Sequence, residues 1–238
     1  MKLPADVPWL NDAGALGLCA ALERAGFQAL FVGGCVRNAV LGVQASDIDI
    51  ATDATPDQVQ SVSKAAGFRT IPTGIDHGTL TVVIDGDPYE VTTFRNDVET
   101  DGRHAVVAFS TDVADDARRR DFTMNALYAR ADGTVVDPLG GLPDALARRV
   151  VFIDDAAARI REDYLRILRF FRFSAWYADP AHGFDADALA AIATHLDGLA
   201  HLSAERVGAE MTKLLGAPDP APAVAVMERV GVLAQALT

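Results

Sequence analysis

Hydrophobic and polar positions change period several times along the first 140 residues, which predicts an alternation of short helices and strands. Leu16, Cys19 and Leu22 share one face of a helix that ends at Gly26, whereas residues 47–50 alternate strictly, as a half-buried strand does. The predicted helices cover 12–26, 35–41 and 55–66, and the predicted strands cover 28–32, 47–50, 79–84 and 89–94. This part of the chain is therefore predicted to be an α+β (mixed α/β) domain with a small central β-sheet.

The second half of the chain shows a helical period almost throughout. A helical pattern returns after Asp121 and continues through Arg130, and a hairpin is predicted around residues 132–133. The Gly/Pro-rich stretch 137–141 breaks the pattern and is the predicted domain boundary. Beyond residue 153, helices are predicted over 156–175, 185–197, 203–215 and 220–237. An all-helical segment is therefore predicted to follow the α+β domain.

Composition limits the classes of protein to which the chain can belong. Half of the 238 residues are hydrophobic and 23% are charged, which excludes a disordered chain. Lys and Arg number 21 against 33 Asp and Glu, so the net charge of −12 excludes a protein that coats DNA. Cys19 and Cys35 have no CxxC spacing, so no disulfide framework is expected and a reducing cytoplasm fits. The first ten residues lack a signal-peptide core, and no apolar run approaches the roughly 18 residues of a membrane span.

The sharpest signal for chemistry is a glycine pair, Gly33 and Gly34, between a predicted strand and a predicted helix. Such a turn presents backbone N–H groups to a phosphate, and Arg37 adds a charged donor. Asp47 and Asp49 leave the same face of a strand, and paired carboxylates suit Mg²⁺ with substrate phosphates. Each feature alone is more often an ordinary turn or a solvated strand face. Their order within seventeen residues favours a phosphate and metal site.

Two arginine-rich segments point towards a phosphate-bearing ligand. Residues 118–125 place three Arg beside Asp121, and a later helix carries Asp163 and Arg166 at i,i+3 spacing. Residues 148–172 contain seven Arg and four acids, a local charge of +3 in an acidic chain. By itself, each segment is also compatible with a solvated charge run, a helix cap or a surface ion pair.

Eight segments occur in one order over roughly residues 28–215: GGCVRNAVLG, SDIDIAT, TGIDHGT, EVTTFR, RRRDFTMNALY, DPLGG, REDYLRILRFFRF and LSAERVGAE. As an ordered set they are highly specific, and they resemble the class II tRNA nucleotidyltransferases (CCA-adding enzymes) and the bacterial poly(A) polymerases. The resemblance implies a nucleotidyltransferase head of the DNA polymerase β superfamily over 1–140, a helical neck over 141–215, and the start of a truncated helical body over 216–238. It also implies an enzyme that adds C, A or both from CTP and ATP to the 3′ end of tRNA. Mg²⁺ is the implied cofactor, and neither a membrane nor DNA is an implied partner.

The resemblance assigns roles to the matching positions. Asp47 and Asp49 would be catalytic and bind two Mg²⁺ ions, and Glu90 is a third acidic candidate whose face the alternation does not fix. The implied nucleotide-binding residues are Gly33, Gly34, Arg37, Arg119, Arg120, Asp121, Asn125, Asp163, Arg166 and Arg169. Within this set, residues 33–37 would hold the triphosphate and residues 119–121 would contact the ribose. The implied supporting residues are Ser203, Glu205, Arg206 and Glu210.

Asp163 and Arg166 would read the incoming base. Cytosine and adenine both present an amino donor beside a ring-nitrogen acceptor, which match a carboxylate and a guanidinium respectively. Guanine and uracil present a carbonyl beside an N–H, so they would leave buried polar groups unpaired. The stretch 137–141 resembles the family's flexible hinge, which would let the pair accept C and then A.

Two departures and two rival functions accompany the resemblance. Asn38 stands where the family usually has Asp, and the chain stops where the family usually continues through body and tail domains. Poly(A) polymerase is the nearest rival, although residues 73–79 resemble the CCA-type loop. The other alternative is a non-catalytic nucleotide-binding module, which the presence of the Asp pair at 47 and 49 and of the Asp163 and Arg166 pair argues against. Cys35 lies in the phosphate turn, where a helix N-terminus is expected to lower the pKa of the thiol.

Overall fold

The computed structural model describes residues 1–44, 47–101 and 104–237. Ser46 of the SDIDIAT segment lies outside the described residues. The chain divides into two compact units, each with contributions from separate segments. The first unit comprises Met1–Glu99, Val106–Arg120 and Asn125–Leu142, and the second comprises Thr100–Ala105, Asp121–Met124 and Pro143–Thr238. The last segment of the first unit ends at Leu142.

The first unit is built on a seven-stranded sheet in the order β3-β4-β5-β2-β1-β8-β9. Its strands are β1 (Ala29–Val32), β2 (Asp49–Thr52), β3 (Arg69–Gly74), β4 (Thr79–Ile84), β5 (Asp87–Thr93), β8 (Tyr128–Ala129) and β9 (Val135–Val136). A separate pair consists of β6 (Arg95–Asp101) and β7 (His104–Phe109). Neighbouring strands of the larger sheet run antiparallel except for β2 and β5, which are parallel. The prediction of a mixed α/β domain with a central sheet is confirmed.

The predicted hairpin between β4 and β5 is confirmed, and a two-residue turn closes it. Asp85 and Gly86 both have positive φ, 53° and 102°, which matches the twist of the flanking strands. Ile84 pairs with Asp87 directly across the turn, so the register of the hairpin is set at this point.

Four helices of the first unit precede or connect the strands: α1 (Ala13–Arg24), α2 (Gly34–Leu41), α3 (Pro56–Ala65) and α4 (Val113–Arg118). Helices α1 and α3 contact each other, and both contact strands of the sheet. Leu18 and Leu22 of α1 are fully buried, as are Phe31 and Ile50 of the sheet. Thr55 caps α3 in a capping box with Gln58, which explains why that helix begins where the sequence predicts.

The helix predicted over residues 121–130 is wrong. A single 3-10 turn covers Thr123–Asn125, and Tyr128–Ala129 form strand β8, which pairs with β1. Residues 126–129 are all fully buried. A helix buries one face, whereas a strand with neighbours on both sides buries consecutive residues, so continuous burial favours the strand. The hairpin predicted near residue 132 is confirmed as β8–β9.

The second unit is helical, as predicted. Its helices are α5 (Leu142–Leu146), α6 (Ala156–Glu162), α7 (Leu165–Tyr177), α8 (Ala186–Ala193), α9 (Ala204–Leu215), α10 (Ala221–Arg229) and α11 (Val232–Ala236). Helix α7 contacts α9 and α10, and α6 contacts α8. A cluster of buried aromatic rings lies around Phe122, whose centroid is 4.9 Å from that of Phe152 and 5.1 Å from that of Phe173.

The prediction of a single helix over 156–175 is wrong, because the helical conformation is interrupted between α6 and α7. Asp163 has extended backbone angles, φ −155° and ψ 106°. Its Oδ1 accepts a hydrogen bond of 3.1 Å from the N–H of Leu165, and such local bonding by Asp competes with a continuous helix. Across the described ranges, no helix is both long enough and apolar enough to cross a membrane.

Candidate functional site

The glycine turn connects β1 to α2, where the sequence places it. Gly33 has φ 69° and ψ −117°, a conformation that L side chains rarely adopt. A Cβ at this position would also lie 3.3 Å from Nη1 of Arg120. Gly33 N–H donates to the carbonyl of Leu127 at 3.2 Å, which ties the turn to the neighbouring strand. The turn thus requires glycine both for its backbone angles and for the approach of a guanidinium.

Arg37 and Asn125, both predicted to bind nucleotide, lie in contact with each other. Arg37 is 7% exposed, and its Nη1 donates to Oδ1 of Asn125 at 2.6 Å. Its Nε and Nη2 donate to Oδ1 of Asn38 at 3.1 and 2.8 Å. Asn38, which stands where the family usually has Asp, therefore still supplies an acceptor that orients Arg37.

The acidic candidates gather beside this turn. Phe31 of β1 pairs with Ile50 of β2, so Asp49 at the start of β2 lies at the level of the turn. Asp49 is also the register partner of Glu90 in the parallel strand β5, and partners in register share a face of the sheet. Burial and the charge of Glu90 raise the pKa of Asp49, Arg120 opposes this rise, and Asp47 adds to it.

Two of the three arginines of the 118–125 segment converge on an acid that sequence reasoning missed. Asp116 is fully buried in α4 and pairs with Nη2 of Arg119 at 2.8 Å and Nη2 of Arg120 at 3.0 Å. The hydroxyl of Tyr128 donates to the same carboxylate at 2.7 Å. Burial opposes ionisation of Asp116, but the guanidiniums of Arg120 and Arg119 and the Tyr128 hydroxyl lower its pKa to about 2. The i,i+3 and i,i+4 spacing to the two arginines was a usable sequence signal for Asp116, whereas nothing in the sequence marked Tyr128.

Two further predicted nucleotide-binding residues, Asp121 and Arg169, form a close ion pair within the second unit. Nε and Nη2 of Arg169 lie 2.7 and 2.6 Å from Oδ2 of Asp121, which is buried. Arg169 also lies 3.9 Å from buried Glu210, whose Oε2 accepts from Arg172 at 2.5 Å. Burial lowers the pKa of Arg169, but Asp121 and Glu210 outweigh it and raise the pKa above its usual value.

The predicted base-reading residues occupy the break between α6 and α7. Oδ2 of Asp163 pairs with Nη2 of Arg206 at 2.7 Å, and Nη1 of Arg166 pairs with Oε2 of Glu162 at 2.6 Å. Ser203 caps α9 through the N–H of Arg206. The predicted support of Asp163 by α9 therefore has a definite contact, whereas Glu162, a partner of Arg166, was missed. Glu205 lies exposed in the first turn of α9.

Comparison with known proteins places this arrangement in a family. Residues 29–151, just over half of the chain, match the model of the "Poly A polymerase head domain". The chain belongs to the family of class II CCA-adding enzymes and poly(A) polymerases. Residues 183–237 match a second model, the "Probable RNA and SrmB-binding site of polymerase A".

The chain is similar to several proteins that are named as CCA-adding enzymes or CCA tRNA nucleotidyltransferases. The human mitochondrial CCA tRNA nucleotidyltransferase 1 is 46% identical over 77% of this chain and 42% of its own length. The CCA-adding enzyme of Geobacillus thermodenitrificans is 41% identical over 92% of this chain and 53% of its own length. The crystal structure of the Bacillus stearothermophilus CCA-adding enzyme in complex with CTP superposes with a TM-score of 0.83 at 38% identity, covering 94% of this chain and 53% of that chain. The chain thus spans about half the length of the relatives it matches.

Family membership implies the use of a divalent metal ion, and the donors present suit one. Asp49 lies beside Glu90 and within electrostatic reach of Asp47, a concentration of negative charge that a cation would relieve. In the part of the chain that the structure describes, no group of three His, Cys, Asp or Glu side chains is close enough to hold a metal alone. A divalent ion that prefers oxygen ligands is commonly held by one or two carboxylates together with ligands from outside the protein, so the carboxylates present fit such an ion.

The expectation that the helix N-terminus lowers the thiol pKa of Cys35 is wrong. Cys35 is buried, and burial raises the pKa of its thiol to about 11, with the nearby charge of Asp49 adding to the rise. Backbone hydrogen bonds with Asp49, Val32 and Val36 oppose this shift but do not overcome desolvation. The glycine turn is therefore followed by a buried thiol of low reactivity.

Proposed function

We propose that this chain transfers C and A nucleotides from CTP and ATP to the 3′ end of tRNA, with release of pyrophosphate. The observation that carries the proposal is the register of Asp49 with Glu90 beside the Gly33 turn, where phosphate donors and carboxylates meet. The names of the relatives support the same activity. Because the chain spans about half of each relative's length, the activity, its substrates and its tRNA partner are proposals for this chain.

The proposed cofactor is Mg²⁺, held by Asp47 and Asp49 with Glu90 nearby. When bound, such an ion stabilises negative charge at the transferring phosphate and lowers the pKa of an attacking hydroxyl. The chain itself places Asp49 and Glu90 on the adjacent parallel strands β2 and β5. Backbone pairing fixes the positions of both residues before any ligand binds.

The glycine turn and Arg120 bind and orient the triphosphate. Backbone N–H groups at the start of α2 present donors to the phosphates, as the resemblance implies for Gly33 and Gly34. Arg120, whose Nη1 faces the same turn, adds a positive charge. The 3′ hydroxyl of tRNA then attacks the α-phosphorus, a new oxygen–phosphorus bond forms, and the bond to pyrophosphate breaks.

Base selection is proposed to lie with Asp163 and Arg166. The carboxylate accepts from the amino group of cytosine or adenine, and the guanidinium donates to the ring nitrogen. Asp163 lies between α6 and α7, where the backbone is extended and not helical. The ion pair with Arg206 orients its carboxylate there. Guanine and uracil are rejected because their carbonyl would face the carboxylate and their N–H would face the guanidinium, which leaves acceptors and donors unpaired.

The first experiment is a primer-extension assay with tRNAs that lack CCA, end in C, or end in CC, each supplied with Mg²⁺ and one labelled nucleotide. Addition of two C and then one A supports the proposal. A long A tract on unrelated RNA would instead establish the poly(A) polymerase alternative, which the name of the head-domain family model favours. Binding of ATP and CTP without transfer would indicate a nucleotide-binding module.

The first prediction concerns Asp49→Asn. Loss of this carboxylate is expected to lower the transfer rate at least about 1,000-fold, because it removes charge stabilisation of several kcal/mol. The control is Asp87→Asn, which removes an exposed acid from the same strand as Glu90. Unfolding temperatures of both variants should stay within a few degrees of the original chain. Appreciable turnover by Asp49→Asn would contradict the assignment of the metal site.

We also propose a cytoplasmic location, since Cys19 and Cys35 are both buried free thiols, as a reducing compartment allows. Some relatives are named as mitochondrial, and that compartment is the competing location. Fractionation of cells that express the tagged chain would decide between the two.

A further inference from the structure

The guanidinium of Arg120 is held on one side by two buried groups. Its Nη2 donates to Oδ2 of Asp116 at 3.0 Å, and its Nε lies 3.3 Å from the same oxygen and 3.2 Å from the hydroxyl of Tyr128. That hydroxyl donates in turn to Asp116 at 2.7 Å. The three side chains form a closed ring of hydrogen bonds, which we call the Arg120 clamp.

The clamp leaves one edge of the guanidinium available. Among the residues that the structure describes, no hydrogen bond from Nη1 of Arg120 is found. This nitrogen lies by the glycine turn, 3.3 Å from where a Cβ of Gly33 would be. The side chain of Arg120 is 18% exposed, so protein does not enclose it completely. A cation with two nitrogens fixed and the third aimed at a phosphate turn is arranged to receive an anion.

Strand pairing sets the distance between the clamp and the turn. Tyr128 is the register partner of Val32, the residue before Gly33, and the carbonyl of Leu127 accepts from the N–H of Gly33. The strand that carries the Tyr128 hydroxyl therefore also holds the backbone of the turn. The Arg side chain is long and flexible, so it does not by itself fix the distance from the guanidinium to the turn. The strand pairing that holds both the turn and Tyr128 fixes that distance.

We propose that Tyr128, together with Asp116, is a positioning residue for nucleotide binding, acting through Arg120. The inference rests on the proposed function, in which the glycine turn binds the triphosphate. Holding the guanidinium in place before the nucleotide arrives removes the entropy cost of ordering it on binding. The effect belongs to nucleotide affinity and not to the chemical step, because the clamp touches neither reacting atom.

The test compares Tyr128→Phe with Tyr89→Phe. Tyr89 is the matched control because its buried ring also carries a hydroxyl bonded to a carboxylate, Asp12, at 2.8 Å. It lies on β5 directly before Glu90, so its side chain is on the opposite face of the sheet. Tyr128→Phe is expected to raise KM for CTP and ATP roughly 3- to 10-fold, with kcat changed less than about twofold, as the loss of one hydrogen bond to a charged group predicts. Tyr89→Phe should leave both constants unchanged.

A second measurement needs no turnover. In NMR spectra of the nucleotide-free chain, the Nε–H of Arg120 should exchange with solvent faster in Tyr128→Phe than in the original chain and in Tyr89→Phe. If exchange and KM both stay unchanged, the proposal is overturned. If the original chain transfers no nucleotide, the proposed function fails by itself, and the exchange rate together with the Kd for ATP from calorimetry still decides the role of Tyr128.

A double-mutant cycle with Arg120→Lys separates positioning from a merely structural role. When the effect of Tyr128 passes through Arg120, the Phe substitution should change KM much less in the Lys background than in the original chain. Additive effects on KM would overturn the proposal, even if Tyr128→Phe lowered stability.

Discussion

At the scale of single residues, the clearest case of environment deciding chemistry is Asp116. Its carboxylate is fully buried yet has a lowered pKa, because two guanidiniums and a hydroxyl outweigh desolvation. Removal of the carboxylate would leave Arg119 and Arg120 without their shared partner. Breaking a buried pair in this way is strongly destabilising even where the intact pair adds little.

This environment predicts a pH dependence of stability. The pKa of Asp116 is about 2 in the folded chain against an ordinary 3.8, so between these values the unfolded chain binds more protons. Stability therefore falls as the pH drops from about 4 towards 2, by roughly 2 kcal/mol from this residue. Urea unfolding midpoints measured between pH 6 and pH 2 should show the decline, and Asp116→Asn should flatten it while lowering stability at pH 6. A parallel decline in both chains would show that other carboxylates are responsible.

Residue-level prediction from the sequence succeeded where spacing was local and failed where it was not. Gly33, Asp47 and Asp49 fall within seventeen residues that contain the turn, helix α2 and the start of β2, and the structure places the turn where expected. Glu90 is 41 positions further along from Asp49, and only the parallel pairing of β2 and β5 determines its face. Tyr128 was missed because its hydroxyl matters only through a buried contact.

At the scale of elements, the residue that follows the break between α6 and α7 packs closely against a glycine. Gly198 lies in a 3-10 helix over Leu196–His201, and a Cβ there would come within 2.0 Å of two ring carbons of Tyr164. Tyr164 follows Asp163 directly, so its ring packs against this glycine at the point where the chain leaves the helical conformation. The contact leaves no space for a side chain at position 198.

The expected result of Gly198→Ala is therefore a loss of stability of about 1–3 kcal/mol, typical of overpacking in a buried site. Gly208→Ala is the matched control, since a Cβ at that helical position of α9 meets nothing within 4 Å. Alanine there should stabilise the chain by about 0.5–1 kcal/mol, because glycine weakens helix interiors. Thermal unfolding of both variants provides the comparison, and equal shifts would show that the Tyr164 contact is relaxed easily.

The sequence predicted most elements because their ends carry local signals, such as the capping box of α3 and the turn at residues 85–86. Two of the helices that were predicted wrongly failed for different reasons. Residues 126–129 have a period that suits a helix, but all four are fully buried, and the last two pair with strands on both sides. Residues 156–175 have an uninterrupted apolar stripe, and the side-chain hydrogen bond of Asp163 breaks the helix without altering that stripe.

At the scale of the whole molecule, the helical unit includes a short segment from the middle of the chain. Phe122 is fully buried among Phe152, Phe170 and Phe173, and Asp121 beside it pairs with Arg169. A domain boundary drawn only near residue 140 would separate this segment from the unit to which it belongs. Sequence reasoning drew that boundary because Gly and Pro mark it, whereas nothing local marks a segment that packs with residues far along the chain.

Phe122→Ala is accordingly expected to destabilise the helical unit by about 3–5 kcal/mol, as loss of a buried aromatic ring does. Phe109→Ala is the control, since that ring is 45% exposed and its removal should cost well under about 1 kcal/mol. Urea titration followed by far-ultraviolet circular dichroism would report the difference. A small effect of Phe122→Ala would mean that residues 143–237 hold their fold without the inserted segment.

The two-residue turn between β4 and β5 has a consequence for insertions and deletions. Glu90 faces Asp49 only while the number of residues between Gly86 and Glu90 stays as it is, because a shift of one position moves a strand side chain to the opposite face. Insertions in this short stretch should therefore be excluded wherever the carboxylate is needed, however well the hairpin tolerates them as a fold. The position of the Glu90 carboxylate thus depends on the length of β5 before it as much as on the identity of the residue.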